Sequence, residues 1–256
     1  MKNKPKNFID AKAKYEGMNY STRNHGKVKV VEYRSATDVI VQFENTGYVT
    51  TTSTGNLKKG FVKDRTIPSV SGFGIVGDTN IRDDYGVIEK EYRKWENMLS
   101  RVYARPTKSY LDCSVSPKFQ KYSDFRDWCN KQVGFDQEGW VLDKDILVKR
   151  NKVYSPETCC FVPSDINAIF IRQENIRGKQ PIGVWFNKRG GTYQSDLCVG
   201  TNKRIRLGGF NTPEEAFYAY KQAKEAYIKE VANKWKDQID IRVYEALMKY
   251  EVDIND

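Results

Sequence analysis

Asp143 and Asn167 stand twenty-four residues apart in a stretch that reads as strand, loop, strand and helix. A carboxylate near a strand end that meets an amide oxygen on a helix can hold a divalent cation. Such hard oxygen donors suit magnesium or manganese, ions that bridge a scissile phosphate and acidify a water. Asp145 adds a second carboxylate within reach along the chain, and Lys144 sits between the two as a cation for a phosphate. The same residues also read as a charged strand end with local ion pairs, and the chain by itself leaves both readings open. A second group of residues is basic. From Ile171 to Phe210 there are eight Lys and Arg against two acids, and Trp185, Asn187, Arg189, Lys203, Arg204 and Arg206 fall in this stretch. Long donors beside an indole suit phosphate attraction, and bidentate Arg suits guanine edges in a DNA major groove. A solvated basic surface with a structural Trp is the other reading of that composition.

The elements that must carry the basic group are well marked. Three strands are predicted over Gly183–Arg189, Thr192–Val199 and Lys203–Phe210, with Gly190-Gly191 and Gly200-Thr201-Asn202 as the turns between them. Alternation places Trp185, Asn187 and Arg189 together and Arg204 with Arg206 on one side of the third strand. Thr212-Pro213-Glu214-Glu215 supplies a capping Thr, a Pro at the first helical position and a carboxylate at the third. The helix it starts should run to about Lys234, because Ala216, Phe217, Ala219, Tyr220, Ala223 and Tyr227 recur at three and four and would cover the other sheet face.

The candidate metal residues need the elements before these. Trp140–Ile146 and Tyr154–Val162 read as strands around a turn at Lys149–Lys152, and a helix should follow with Ser164 as its cap. Upstream, Glu91–Tyr103 is helical by the stripe Tyr92, Trp95, Met98, Leu99 and Val102, and Tyr122–Val133 is a second, shorter helix. The N-terminal third reads as a polar tail or first strand to about residue 20, then strands Lys27–Tyr33, Asp38–Phe43 and Tyr48–Thr52, then a glycine-rich connector from Lys58 to Gly77. Ile171 to Gln180 reads as a basic linker, and Ile239–Tyr250 as a closing helix. The expected fold is therefore α+β and multidomain: a small β meander or barrel over residues 1–80, a central strand–strand–helix unit with flanking helices over 81–175, and a three-stranded antiparallel sheet packed on one helix over 176–256.

Composition sets limits on function. The net charge of +10 over 256 residues favours an anionic partner, and no apolar run approaches the roughly eighteen residues of a spanning helix. The expected partner is double-stranded DNA, with no membrane association. The N-terminus carries positive charge but no apolar leader core, and five cysteines without a Cys-x-x-Cys pair read as reduced thiols of a cytosolic chain. Zinc is disfavoured, since its ligands would have to come from distant cysteines and one His. That residue, His25, lies beside a Gly turn with no partner visible in the sequence.

Two resemblances follow from these residues. Gly183-Val184-Trp185, Tyr193, Lys203-Arg204-Ile205-Arg206-Leu207-Gly208-Gly209-Phe210, Thr212-Pro213-Glu214-Glu215-Ala216 and Ala219-Tyr220 resemble the ethylene-response-factor (apetala-type) DNA-binding domain over about fifty residues. That family lays a three-stranded sheet in the major groove, which implies base or phosphate contacts for Trp185, Asn187, Arg189, Arg204 and Arg206. Trp95, Met98-Leu99-Ser100-Arg101, Tyr103, Tyr110, Phe125, Trp128, Trp140, Leu142-Asp143-Lys144-Asp145-Ile146 and Tyr154-Ser155-Pro156-Glu157-Thr158-Cys159 resemble the HNH endonucleases of tailed bacteriophages over about eighty residues. Many of those carry the same sheet C-terminally. The resemblance implies a metal-dependent DNA endonuclease acting in the cytoplasm of an infected bacterial host, with magnesium or manganese on Asp143 and Asn167. Its departures fall on the motif itself. The catalytic His position holds Lys144, a second position that is usually Asn holds Thr158, and the last holds Asn167. A Lys at its ordinary pKa of about 10.4 is no base at neutral pH, so either burial lowers it or a metal-bound water ionises with little help and Lys144 holds the phosphate, with Asp145 as a substitute base or extra ligand. Strand alternation sets Asp145 on the face of Asp143 and Lys144 on the opposite one. The same departures support the alternative of a DNA-binding protein that keeps the scaffold without cleavage.

Overall fold

The computed structural model describes residues 6–170, 180–200, 203–254 and 256. The expected linker from Ile171 lies outside the described residues up to Lys179, as do Thr201 and Asn202 of the second expected turn. The architecture is mixed α and β, in two compact units: Met1–Pro106 with Gln120–Ser123, and Thr107–Phe119 with Asp124–Asp256.

The first unit begins with a helix, α1 (Lys6–Tyr15), which corrects the expectation of a tail or strand at the N-terminus. The reason is packing: Ala11 and Tyr15, four apart, share a face, and the Tyr15 ring stacks 5.4 Å from that of Tyr33. A short β1 (Asn19–Ser21) then leads into the meander β2 (Lys27–Ser35), β3 (Asp38–Phe43) and β4 (Val49–Thr52), antiparallel throughout and in sequence order. Val28, Val30, Val39, Val41 and Phe43 alternate inward onto Leu57. Leu57 belongs to α2 (Thr54–Lys59), a helix the sequence reading missed at the edge of its connector. Local signals for it exist: the Ser53 side chain accepts from the Asn56 N–H, and Gly60 ends the helix at φ 69°. In α3 (Lys90–Leu99) the expected stripe is buried, and the helix continues as a π-helical turn through Ser100–Ala104.

The second unit holds both groups of chemistry-bearing residues. A two-residue β5 (Ser114–Val115) precedes α4 (Tyr122–Cys129), which stops one turn short of the expected Val133: the Lys131 and Gln132 N–H groups bond back three residues, to Trp128 and Cys129, and Gly134 follows at φ +83°. Next come β6 (Trp140–Asp143), β7 (Val153–Tyr154) and β8 (Cys160–Pro163). β7 pairs parallel with β5, while β6 and β8 pair antiparallel with Asp143 opposite Cys160. β8 runs directly into α5 (Ser164–Ile169), where Ser164 is the first helical residue rather than the cap, and Pro163 takes the cap position without a side-chain hydrogen bond.

The C-terminal sheet forms as read. It consists of β9 (Val184–Asn187), β10 (Thr192–Cys198) and β11 (Arg204–Phe210) in the order β11-β10-β9, antiparallel. The long helix α6 (Pro213–Trp235) opens on a complete capping box between Thr212 and Glu215 and ends within a residue of the expected position. The closing helix α7 (Ile241–Met248) is capped by Asp240, inside the expected bounds. Val184, Leu197, Ala216, Phe217, Tyr220 and Val252 form the core between sheet and helix. At about 2 kcal/mol per large apolar side chain, this face is what fixes the sheet on α6.

Gly183 sets how closely the two pack. Its φ is +76°, and a Cβ there would lie 2.1 Å from Cδ2 of Tyr220. Gly183→Ala must therefore move the ring or the strand, and we expect it to destabilise the unit by about 3 kcal/mol, read as a lowered midpoint in thermal or urea unfolding.

Candidate nucleic-acid interface and the Asp143 strand end

The sheet face turned away from α6 is where the basic residues meet. Alternation sends Ser195 and Leu197 of β10 into the core and Gln194, Asp196 and Cys198 outward. Outward neighbours on the flanking strands follow from register: Trp185 opposite Gln194, Arg206 opposite Asp196, and Arg204 opposite Cys198. A bulge makes the last two agree. The register slips between Ser195 and Asp196, leaving Leu207 as an extra residue on β11, and Gly208 beside it adopts φ +134°. Without that extra residue Arg206 would turn to the opposite side.

Trp185, Asp196, Arg204 and Arg206 line a shallow hollow of about 700 Å³. The Trp185 indole N–H donates to Oδ2 of Asp196 at 3.0 Å, and Nε of Arg206 stands 3.9 Å from Oδ1 of the same carboxylate. The Arg206 side chain is 73% exposed and that of Asp196 only 18%. Sequence reasoning counted Asp196 only as one of two acids in a basic stretch. Its alternation with Ser195 and Leu197 was the signal that placed it on the outer face.

The remaining expected DNA-contact residues are dispersed. Arg189 lies in the turn after β9 rather than on the strand, because Oδ1 of Asn187 accepts from the Arg189 and Gly190 N–H groups at 3.1 and 3.4 Å and bends the chain there. Asn187 thus has a turn-forming role that its residue type signals. Lys203 is exposed just before β11, its carbonyl accepting from the Val199 N–H at 2.9 Å.

Of the second expected site, Asp143, Lys144 and Asp145 lie at the end of β6. The strand stops at Asp143, so the alternation that would set Asp145 beside Asp143 and Lys144 opposite does not extend past it. Oδ1 of Asp143 accepts from the Asp145 and Ile146 N–H groups at 2.8 and 2.7 Å, which turns the chain out of the sheet. Asp143 is 8% exposed, and its burial, with the Asp145 charge next, pushes its carboxyl up to about 6. Lys144 is equally buried. Its Nζ lies 3.4 Å from Asp145 Oδ2 and 5.9 and 5.8 Å from the ring centroids of Tyr110 and Tyr154. A carboxylate and two ring faces are partners for an ammonium. Asp145 itself is about half exposed.

Asn151, which sequence reasoning did not single out, pins this loop: its Nδ2 donates to the Lys144 carbonyl at 2.6 Å and the Val153 carbonyl at 2.7 Å. Thr158 is structural as well, its hydroxyl donating to the Val153 carbonyl at 2.8 Å. Asn167 is half-buried on α5, a helix that packs on β6 and β8 with Ile166 beneath it. Among the described residues no three of His, Cys, Asp and Glu converge as a metal cluster. The thiols near Asp143 are held protonated by burial, Cys159 being pushed up to about 12 and Cys160 raised further. By donor type, the Asp143 carboxylate and the Asn167 amide oxygen fit a hard divalent ion, and a cation would also offset the burial and the Asp145 charge that raise the Asp143 carboxyl.

One partly buried amine ties this region together. Lys224 of α6 donates to the Ile169 carbonyl at 2.8 Å, and burial lowers its pKa to about 8. An unfolded Lys titrates near 10.4, so below about pH 8 folding must carry the buried charge, and stability rises as pH climbs from 8 toward 10.4. Lys224→Met is expected to raise stability by about 1 kcal/mol at pH 7, the missing hydrogen bond offsetting part of the gain, with the advantage shrinking by pH 10. Paired thermal melts at the two pH values measure it.

The chain matches no protein-family model, no curated protein and no solved structure at a significant level. No helix among the described residues is long and apolar enough to cross a membrane.

Proposed function

We propose that this protein is a DNA-binding, metal-dependent endonuclease of the HNH type, in which the outer face of β9, β10 and β11 docks duplex DNA and the β6, β8 and α5 unit carries the phosphodiester site. The observation that carries the reading is the end of β6: an antiparallel strand pair delivers a buried Asp143 to a chain turn and runs straight into the helix bearing Asn167. Asp143 and Asn167 would hold magnesium or manganese, which when bound supplies Lewis-acid polarisation of a scissile phosphate. Lys144 serves as a phosphate donor, steadied by Tyr110, Tyr154 and Asp145. Asp145, the more exposed carboxylate, takes the proton from the attacking water in this reading.

A second reading, DNA binding without cleavage, is favoured by one observation: where the HNH pattern has its catalytic His, this chain has an enclosed, ion-paired Lys144. Both readings expect a salt-sensitive DNA complex. The test is incubation of supercoiled DNA with the full chain and magnesium or manganese, beside Asp143→Asn. Nicking by wild type that the variant lacks supports the nuclease. A complex that forms in both proteins with no cut in either leaves the binder, and no complex at all removes both.

A further inference from the structure

Asp196 is an anomaly on a face that attracts phosphate. It lines the hollow with Trp185, Arg204 and Arg206, and its side chain is 18% exposed. A carboxylate there repels a phosphate brought within a few ångströms, and the low exposure of its side chain limits screening by salt. It also holds its neighbours: the Trp185 indole through a 3.0 Å hydrogen bond and the Arg206 guanidinium through a 3.9 Å ion pair. Arg204, opposite Cys198 two pairs along β11 from Arg206, is the next cation on this face.

We propose that Asp196 is a positioning residue that sets sequence specificity: it keeps the DNA backbone out of the hollow, so that a base-pair edge enters instead, and holds Trp185 and Arg206 ready to meet it. This rests on the DNA-docking reading of the sheet and extends it from attraction to discrimination. The edge it admits presents an amino donor to the carboxylate beside an acceptor for Arg206, a pairing found in the major groove and absent from phosphates. The bulge at Leu207 belongs to the same device, because it alone brings Arg206 opposite Asp196. Holding a guanidinium and an indole before binding reduces the ordering that binding must impose.

The experiment selects a preferred sequence from a randomised duplex pool with the full chain, then measures affinity for that duplex and a scrambled one over a salt series. Wild type, Asp196→Asn and Trp185→Phe are compared. Asn keeps an oxygen for the indole N–H and removes the charge, while Phe keeps a ring and removes the donor. The expected result is a loss of discrimination by Asp196→Asn of at least about tenfold, with tighter binding to the scrambled duplex and a steeper salt dependence. Trp185→Phe should lose discrimination with an unchanged salt slope, since no charge is removed. Thermal melts accompany each variant. If Asp196→Asn keeps the wild-type ratio, or weakens both duplexes together with a lowered melt, Asp196 is merely structural and the inference falls while docking stands. If wild type binds DNA without any preference, the inference falls in the same way. If wild type binds neither duplex, docking falls with it.

Discussion

Removing Arg204 and Arg206 together, as a double alanine variant, is expected to weaken duplex binding by about tenfold to a hundredfold and to reduce the slope of log affinity against log salt by about two. Both side chains stand on the exposed face of β11, and neither contributes to the core beneath it. Each phosphate that is no longer neutralised takes roughly 0.9 off the slope, whereas breaking a bidentate pair with a base costs about 1–3 kcal/mol with less effect on salt. The ratio of the two effects therefore sorts the arginines between backbone and base. Asp196 partly offsets Arg206 in the free protein, so Arg204 is expected to carry the larger share of the slope. A control separates the face from net charge: Lys229→Ala with Lys234→Ala removes two exposed cations from α6 and should change affinity by less than about threefold. Fluorescence anisotropy on one duplex over a salt series reads all of this. Equal losses in both double variants would mean that the chain binds by overall charge and that the sheet is not the docking face.

Asp143→Asn is expected to act in opposite directions on activity and on stability. Cleavage should fall by at least about a hundredfold, since the charged oxygen that would hold the metal is replaced by an amide. Oδ1 of the Asn still accepts from the Asp145 and Ile146 N–H groups, so the loop stays capped. The stability effect follows from burial. The folded carboxyl titrates near 6, above the unfolded value of about 3.9, so the folded state holds the proton more tightly and its stability declines as pH rises through that window. Removing the charge should thus stabilise the protein by roughly 2 kcal/mol at pH 7, with the gain fading toward pH 4. On the nuclease reading, a carboxylate kept in a place that destabilises the fold is the usual conflict between activity and stability. Melts at pH 4, 5.5 and 7 beside nicking assays on the same preparations measure both arms. Undiminished nicking by the variant would dismiss Asp143 as a metal ligand, and reduced stability at pH 7 would contradict the burial argument.

The two sites were legible in the chain to different degrees. For the sheet, the turn glycines and alternation were enough to pair Arg204 with Arg206 and to turn Trp185 outward, since each strand's pattern is read from its own residues, while the bulge at Leu207 decides that the two arginines share the face of Trp185. Asn187 and Arg189 were assigned to that face as strand residues, and the Asn187 side chain instead ends the strand by capping a turn. Around Asp143, residue types suggested a site, yet the strand end was missed. That end depends on two hydrogen bonds that the Asp143 carboxylate makes to its own following residues, which compete with continued pairing.

What the sequence by itself determined is the set of elements whose signals lie within a turn or two of chain. α6 starts and stops where its capping box and apolar spacing put it, the α3 stripe is buried, and the meander strands of the first unit run close to their expected bounds. Only the tertiary structure decided what surrounds each functional side chain. Lys144 meets Tyr110 because β5 and β7, far apart in sequence, pair in parallel and bring the Tyr110 segment next to Tyr154. Asp196 faces Arg206 because one extra residue in β11 shifts the register. Helix caps and periodicities are local and leave their mark on consecutive residues, whereas a side chain's environment is set by which distant strands pair and in what register, and no short stretch of the chain contains that choice.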